Sequence, residues 1–154
     1  MVYWILLFIP IFNSVAGVLI DHSLTGLTQI DTNLIQKIRN DYLIPPQNDK
    51  PYNFTDLEEN NPDLAGQHGQ AIEIAELFKN KKNGFFVEAG AYDGEVFSNT
   101  LLLEAKMNWT GLLVEPNPDA FEELRYKNRK SHLIETCLSM KPEVTEVEFD
   151  VAGK

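Results

Sequence analysis

Between Gly84 and Leu138 the chain alternates short apolar runs with helical repeats, and this order constrains the fold more than any other feature of the sequence. Phe85, Phe86 and Val87, bounded by Gly84 and Gly90, predict a strand buried on both faces, the usual state of a parallel strand. Ser98 is placed to cap a helix carrying Leu101, Leu102, Leu103, Glu104 and Lys106. Gly111 to Val114 predict a second buried strand ending at Glu115. Asn117 and then Pro118 open the next helix in the favoured order of cap and proline, with Phe121, Leu124 and Tyr126 leading to about Lys130. His132 to Leu138 predict a third strand. The alternation implies right-handed crossovers, and so an α/β fold: a Rossmann-like parallel sheet with flanking helices.

Upstream, Leu34, Ile35, Ile38 and Tyr42 recur at helical spacing behind an Asp31/Thr32 cap, and the helix must end before Pro45 and Pro46. Residues 21–69 therefore read as a helix plus a connector rich in Pro, Asn and Asp. A further helix is expected from about Gln70 to Lys82, with Ala71, Ile74, Leu77 and Phe78 on one face and Gly84 closing its end. After Pro142, Thr145, Val147, Phe149 and Val151 alternate as a half-buried strand. On this reading residues 70–154 are the N-terminal part of a domain whose sheet stops after its third or fourth strand.

Residues 1–20 hold no Asp, Glu, Lys or Arg, although the whole chain carries 23 acidic and 13 basic residues, a formal charge of −10. Their apolar core, with Ser14, Val15 and Ala16 suited to cleavage, predicts a signal peptide or, alternatively, an uncleaved signal anchor. Either places the remainder in the secretory pathway, in the endoplasmic reticulum or Golgi, membrane-anchored or secreted, with any membrane association through residues 1–20. Asn53 and Asn108 head N-x-T sequons and are the expected glycosylation positions. The acidic balance argues against nucleic acid, because the one dense basic run is Arg125, Lys127, Arg129 and Lys130. A single cysteine, Cys137, excludes an internal disulfide, and the scattered His22, His68 and His132 give no metal-ligand spacing.

In a parallel sheet the ligand lies beyond the C-terminal strand ends, here at the turn from Glu88 to Gly94. Gly90 and Gly94 let a ligand approach the main chain, and exposed N–H groups there would favour an anionic group. Glu115, about twenty residues further on, is where a carboxylate accepts the two hydroxyls of a ribose, so the three together describe a nucleoside-containing cofactor. The turn lacks the G-x-G-x-x-G of a dinucleotide site, since Tyr92 stands between its glycines, which disfavours NAD and FAD.

The pattern E-x-G-x-x-x-G resembles motif I of class I S-adenosylmethionine-dependent methyltransferases. More specifically, GFFVEAGAYDGE at 84–95, SNT at 98–100, WTGLLVEP at 109–116, NRK at 128–130 and CLS at 137–139 resemble the FkbM-type methyltransferase domain in its animal, Star-like branch. YLIPP at 42–46, PYN at 51–53 and Gly66-Gln67 resemble the same branch. The resemblance implies a class I methyltransferase fold and S-adenosylmethionine as cofactor, with Glu88, Gly90, Tyr92 and Gly94 in its loop, Glu115 on the ribose, and Glu135 and Thr136 at the adenine. For function it implies assistance to vesicle-mediated, endoplasmic reticulum to Golgi transport of growth-factor ligands, the cargo then being a transmembrane ligand. The alternative is an active O-methyltransferase with a small-molecule or glycan acceptor. Asp93, beside the loop, reads either as an acid or base or as a cap for the following helix. His132 reads as structural, and His68 lies in the connector.

Overall fold

β1 (Phe85–Ala89), β2 (Thr110–Val114) and β3 (His132–Ile134) form one parallel sheet in the order β1-β2-β3 in the computed structural model, which describes residues 22–55, 66–79 and 81–145. Phe85 stands opposite Thr110, Ala89 opposite Val114, and Leu112 opposite His132. Each parallel step is bridged by a helix, α3 (Leu101–Met107) after β1 and α4 (Pro118–Tyr126) after β2. The result is a small α/β domain with a helix-flanked parallel sheet, a generic Rossmann-like arrangement.

Local chemistry sets the helix starts where the sequence places them. The Ser98 hydroxyl accepts the Leu101 N–H at 3.2 Å, and Asn117 accepts the Asp119 N–H at 3.1 Å with Pro118 in the first turn. Helix ends follow tertiary contacts instead. α2 (Gln70–Leu77) stops short of Lys82, because Phe78 packs on Trp109 with ring centroids 5.2 Å apart and the Trp109 indole N–H donates to the Lys81 carbonyl at 2.9 Å.

The core lies on one side of the sheet. Phe86, Leu113 and Leu133 meet Leu103 and Met107 of α3 and Phe121 and Leu124 of α4, with Ile74 and Phe78 packed against them. Each such side chain contributes about 1.5–3 kcal/mol when fully buried. The other face of β1 is open: Phe85 is 60 % exposed and Val87 39 %, so β1 is buried on one face, not two. β3 is also shorter than expected, ending at Ile134 rather than Leu138.

The chain divides into two compact units, Ile44–Glu135 being the one just described. The other is formed by Met1–Leu43 and Thr136–Lys154. Its α1 (Thr32–Lys37) is capped by Asp31, whose carboxylate accepts the N–H of Asn33 at 2.8 Å and of Leu34 at 3.1 Å. A π-helical turn, Ile38–Tyr42, closes it through the Leu43 N–H on the Ile38 carbonyl. Leu24, Leu34 and Val144 form this unit's own core, with Leu27, Ile38 and Tyr42 against it.

Membrane-anchored placement is corrected. Among the described residues no helix is long and apolar enough to cross a membrane. The expected signal peptide or anchor at 1–20 and the alternation at Val147, Phe149 and Val151 lie outside the described residues.

Candidate functional site

The site is built where β1 and β2 end. The Val114 carbonyl, the last of β2, accepts two N–H groups from the turn after β1, Gly90 at 2.9 Å and Ala91 at 3.1 Å. This double bond to one acceptor curls the chain over the strand ends, and the Gly94 N–H closes the curl on the Ala91 carbonyl at 2.9 Å. Gly90 adopts φ 77°, and the Cβ it lacks would meet no atom within 4 Å. Space therefore lies open against the main chain at Gly90.

Glu115 faces that curl. Its carboxylate accepts the Tyr92 N–H at 2.7 Å with one oxygen and the Asn117 N–H at 2.8 Å with the other, and the residue is 5 % exposed. A carboxylate oxygen has two lone pairs, so each retains one for a further donor, which is the chemistry two vicinal hydroxyls require. Tyr92 is held at φ 51°, an uncommon conformation for a bulky residue, with its ring half in solvent.

The other loop positions do different work. Glu88 turns back under the loop: its carboxylate accepts the Ser98 hydroxyl at 2.9 Å, the Thr100 hydroxyl at 2.5 Å and the Asn99 N–H at 2.8 Å, clamping the approach to α3. Gly94, at φ 77°, is a packing glycine, since a Cβ there would run into Leu124. Asp93 caps its own turn, one oxygen accepting the N–H groups of Glu95 at 2.9 Å and Val96 at 2.8 Å. The loop N–H groups expected to await an anion are thus engaged, those of Gly90 and Ala91 by Val114, that of Tyr92 by Glu115, and those of Glu95 and Val96 by Asp93. The curl offers room and a carboxylate, which suits a ribose better than a phosphate.

Glu135 follows β3 and is half-buried. Burial raises its carboxyl above the ordinary value, with Arg125 opposing the rise and Glu122 adding to it. Thr136 is buried in the other unit and donates its hydroxyl to the Cys137 carbonyl at 3.2 Å. Both sequon asparagines are exposed, Asn108 at the left-handed end of α3 with its side chain donating to Asn83 at 2.5 Å, and Asn53 with its backbone N–H on the Lys127 carbonyl at 3.0 Å. His132 opens β3, and His68 is exposed just before α2. Among the described residues no group of His, Cys, Asp or Glu is disposed to hold a metal ion.

Sequence reasoning missed the network beneath the loop. Arg129 is fully buried and donates to Glu104 at 3.0 Å, to the Gly94 carbonyl at 2.5 Å, to the Ser98 hydroxyl at 3.3 Å and to the Thr100 hydroxyl at 3.2 Å. Glu104 also accepts the Lys130 N–H at 2.8 Å and the Ser131 hydroxyl at 2.5 Å. One signal was available: Glu104 falls three residues from both Leu101 and Met107, on the buried stripe of α3, where a carboxylate requires a buried partner. Tyr52 joins this network through Glu104, and burial holds its phenol well above the ordinary range, with Glu104 adding to the rise. The rest of the basic run is engaged too, Arg125 with Glu122, Lys127 with Glu95, and Lys130 with the carbonyls of Gln47 and Lys50.

No family model, no curated protein and no solved structure matches this chain.

Proposed function

We propose that the Ile44–Glu135 unit is an FkbM-type methyltransferase-like domain that binds S-adenosylmethionine at the mouth of its sheet. One observation carries this reading: the Glu115 carboxylate is turned toward the curl, 2.7 Å from the Tyr92 nitrogen, beside the open space at Gly90. Glu115 would hold the ribose hydroxyls on its remaining lone pairs, Gly90 and Tyr92 would line the path of the donor, and Glu135 is the candidate for the adenine side. When bound, the donor supplies an already activated methyl group. The chain's own residues then have to align an acceptor oxygen and exclude water.

A second reading rests on Glu88. Its three donors come from residues 98–100 of this chain, so the acid that motif I would direct toward the ligand instead braces the loop. That favours a fold retained as a non-catalytic binding module, the form in which the domain would assist transport of growth-factor ligands.

Isothermal titration of the full chain with S-adenosylhomocysteine separates the two. Micromolar binding that disappears in Glu115→Ala, with an unchanged circular dichroism spectrum, supports the methyltransferase reading. Absence of any binding heat from the folded protein supports the binding module.

A further inference from the structure

Helices cover one face of the sheet, but its β1 edge is bare. The Thr110 N–H donates to the Gly84 carbonyl at 3.1 Å and the Gly90 N–H to the Val114 carbonyl at 2.9 Å. Backbone groups of successive strand residues point to alternate sides. Gly84, Phe86, Glu88 and Gly90 therefore serve β2, while the N–H and C=O of Phe85, Val87 and Ala89 point away from it. Among the described residues no strand lies on that outer side. The side chains of the same three residues are exposed, all of them apolar.

Edges of this kind are usually guarded by a lysine, a proline or a bulge. β1 has none of these. Its one charged residue, Glu88, is buried and engaged by Ser98, Asn99 and Thr100. Charge lies at the two ends of the strand instead, with opposite sign. Ahead of β1, Lys79, Lys81 and Lys82 stand exposed, Lys79 being paired with Glu76. At its finish the carboxylates of Glu88, Asp93, Glu95 and Glu115 are offset by Lys127, which lies 2.6 Å from Glu95 and 3.7 Å from Asp93.

We propose that the occupant of this edge is a second copy of the chain, joined β1 to β1, antiparallel, about a two-fold axis at Val87. In that register Val87 faces Val87 of the second copy and Phe85 faces its Ala89, so each ring lies opposite a small side chain. The outward-pointing residues then exchange N–H and C=O groups as the hydrogen-bonded pairs of an antiparallel ladder. The basic start of each strand comes beside the acidic finish of the other, which a parallel pairing would not achieve. A patch that is complementary to itself closes as a dimer, here with one continuous sheet of three strands from each copy. The two curls lie at opposite ends of that sheet, so Gly90 and Glu115 stay open in each copy whatever binds there.

Sedimentation velocity of the full chain over a range of concentrations tests this, together with cysteine cross-linking in a Cys137→Ser background. A dimer is expected. It should be lost in Val87→Lys, which sets two like charges face to face on the axis, with the circular dichroism spectrum unchanged. Mild oxidation should link Val87→Cys into a covalent dimer, because Cα atoms of such a pair stand about 5.5 Å apart, within disulfide reach. Phe85→Cys alone should stay unlinked, since its counterpart is Ala89, and Phe85→Cys with Ala89→Cys should link. If Val87→Lys does not fold, the cysteine pattern decides. A monomer at every concentration overturns the proposal. So does a dimer that survives in folded Val87→Lys, or one in which Phe85→Cys links and Val87→Cys does not.

Discussion

Arg129 and Glu104, one beyond α4 and the other in the middle of α3, form an ion pair in which neither side chain has any solvent exposure, Nε to Oε1 at 3.0 Å. The pair matters to the site through the rest of the guanidinium, which holds the Gly94 carbonyl and the Ser98 and Thr100 hydroxyls. Those hydroxyls are also the donors to Glu88. One buried network thus fixes both ends of the segment between the curl and α3. A planar fork with several donors is needed for that, which lysine lacks.

Removing one partner leaves an uncompensated buried charge. Arg129→Met is expected to destabilise the protein by about 3–5 kcal/mol, and Arg129→Lys to recover only part of it. The joint replacement Arg129→Met with Glu104→Leu should cost less than Arg129→Met alone. Urea unfolding midpoints of the three variants check this, and a double variant less stable than Arg129→Met would show that the pair's role is misassigned.

The two glycines of the curl should respond differently to alanine. At Gly90 the added methyl enters open space, so Gly90→Ala carries only the left-handed backbone penalty of about 1–2 kcal/mol. At Gly94 the same penalty is joined by a collision with Leu124, so Gly94→Ala should be the more destabilised by urea unfolding. Gly90→Ala should stay folded yet bind S-adenosylhomocysteine more weakly, because its methyl occupies the space assigned to the donor. Equal stability of the two variants would contradict the packing role of Gly94.

Glu135 gives a pH signature. Its carboxyl is raised in the folded state, so its favourable contribution is complete below the unfolded value and is lost as pH rises through the folded one. The ionised side chain then opposes folding near neutrality. Glu135→Gln should raise the urea midpoint at about pH 7, and the gain over the unaltered chain should fade by about pH 3.5, below the ordinary range of a glutamate. A gain that persists undiminished at the acidic end would assign the effect to something other than ionisation.

Local rules made much of the architecture legible. Asp31 and Asn117 cap helices, and Ser98 accepts the first N–H of α3, because a short polar side chain reaches N–H groups two or three residues ahead, a relation wholly within the sequence. Apolar runs at strand length separated by helical repeats pointed to a parallel α/β order, and the spacing from Gly94 to Glu115 pointed to a site at the strand ends. What the same rules missed were long-range choices. β1 exposes Phe85 and Val87, and α2 ends where Trp109 captures Phe78 and Lys81.

The sequence by itself determined which elements form, in which order, and that Glu115 would stand at the end of the second strand, since periodicity and capping act over a few residues. Only the tertiary structure decided how the polar groups are apportioned. Glu88 braces residues 98–100, Glu115 grips the Tyr92 N–H, and Arg129 is buried on Glu104. Each of these joins groups far apart along the chain. A buried donor or acceptor must find a partner, and which one it finds depends on what packing brings within hydrogen-bond reach.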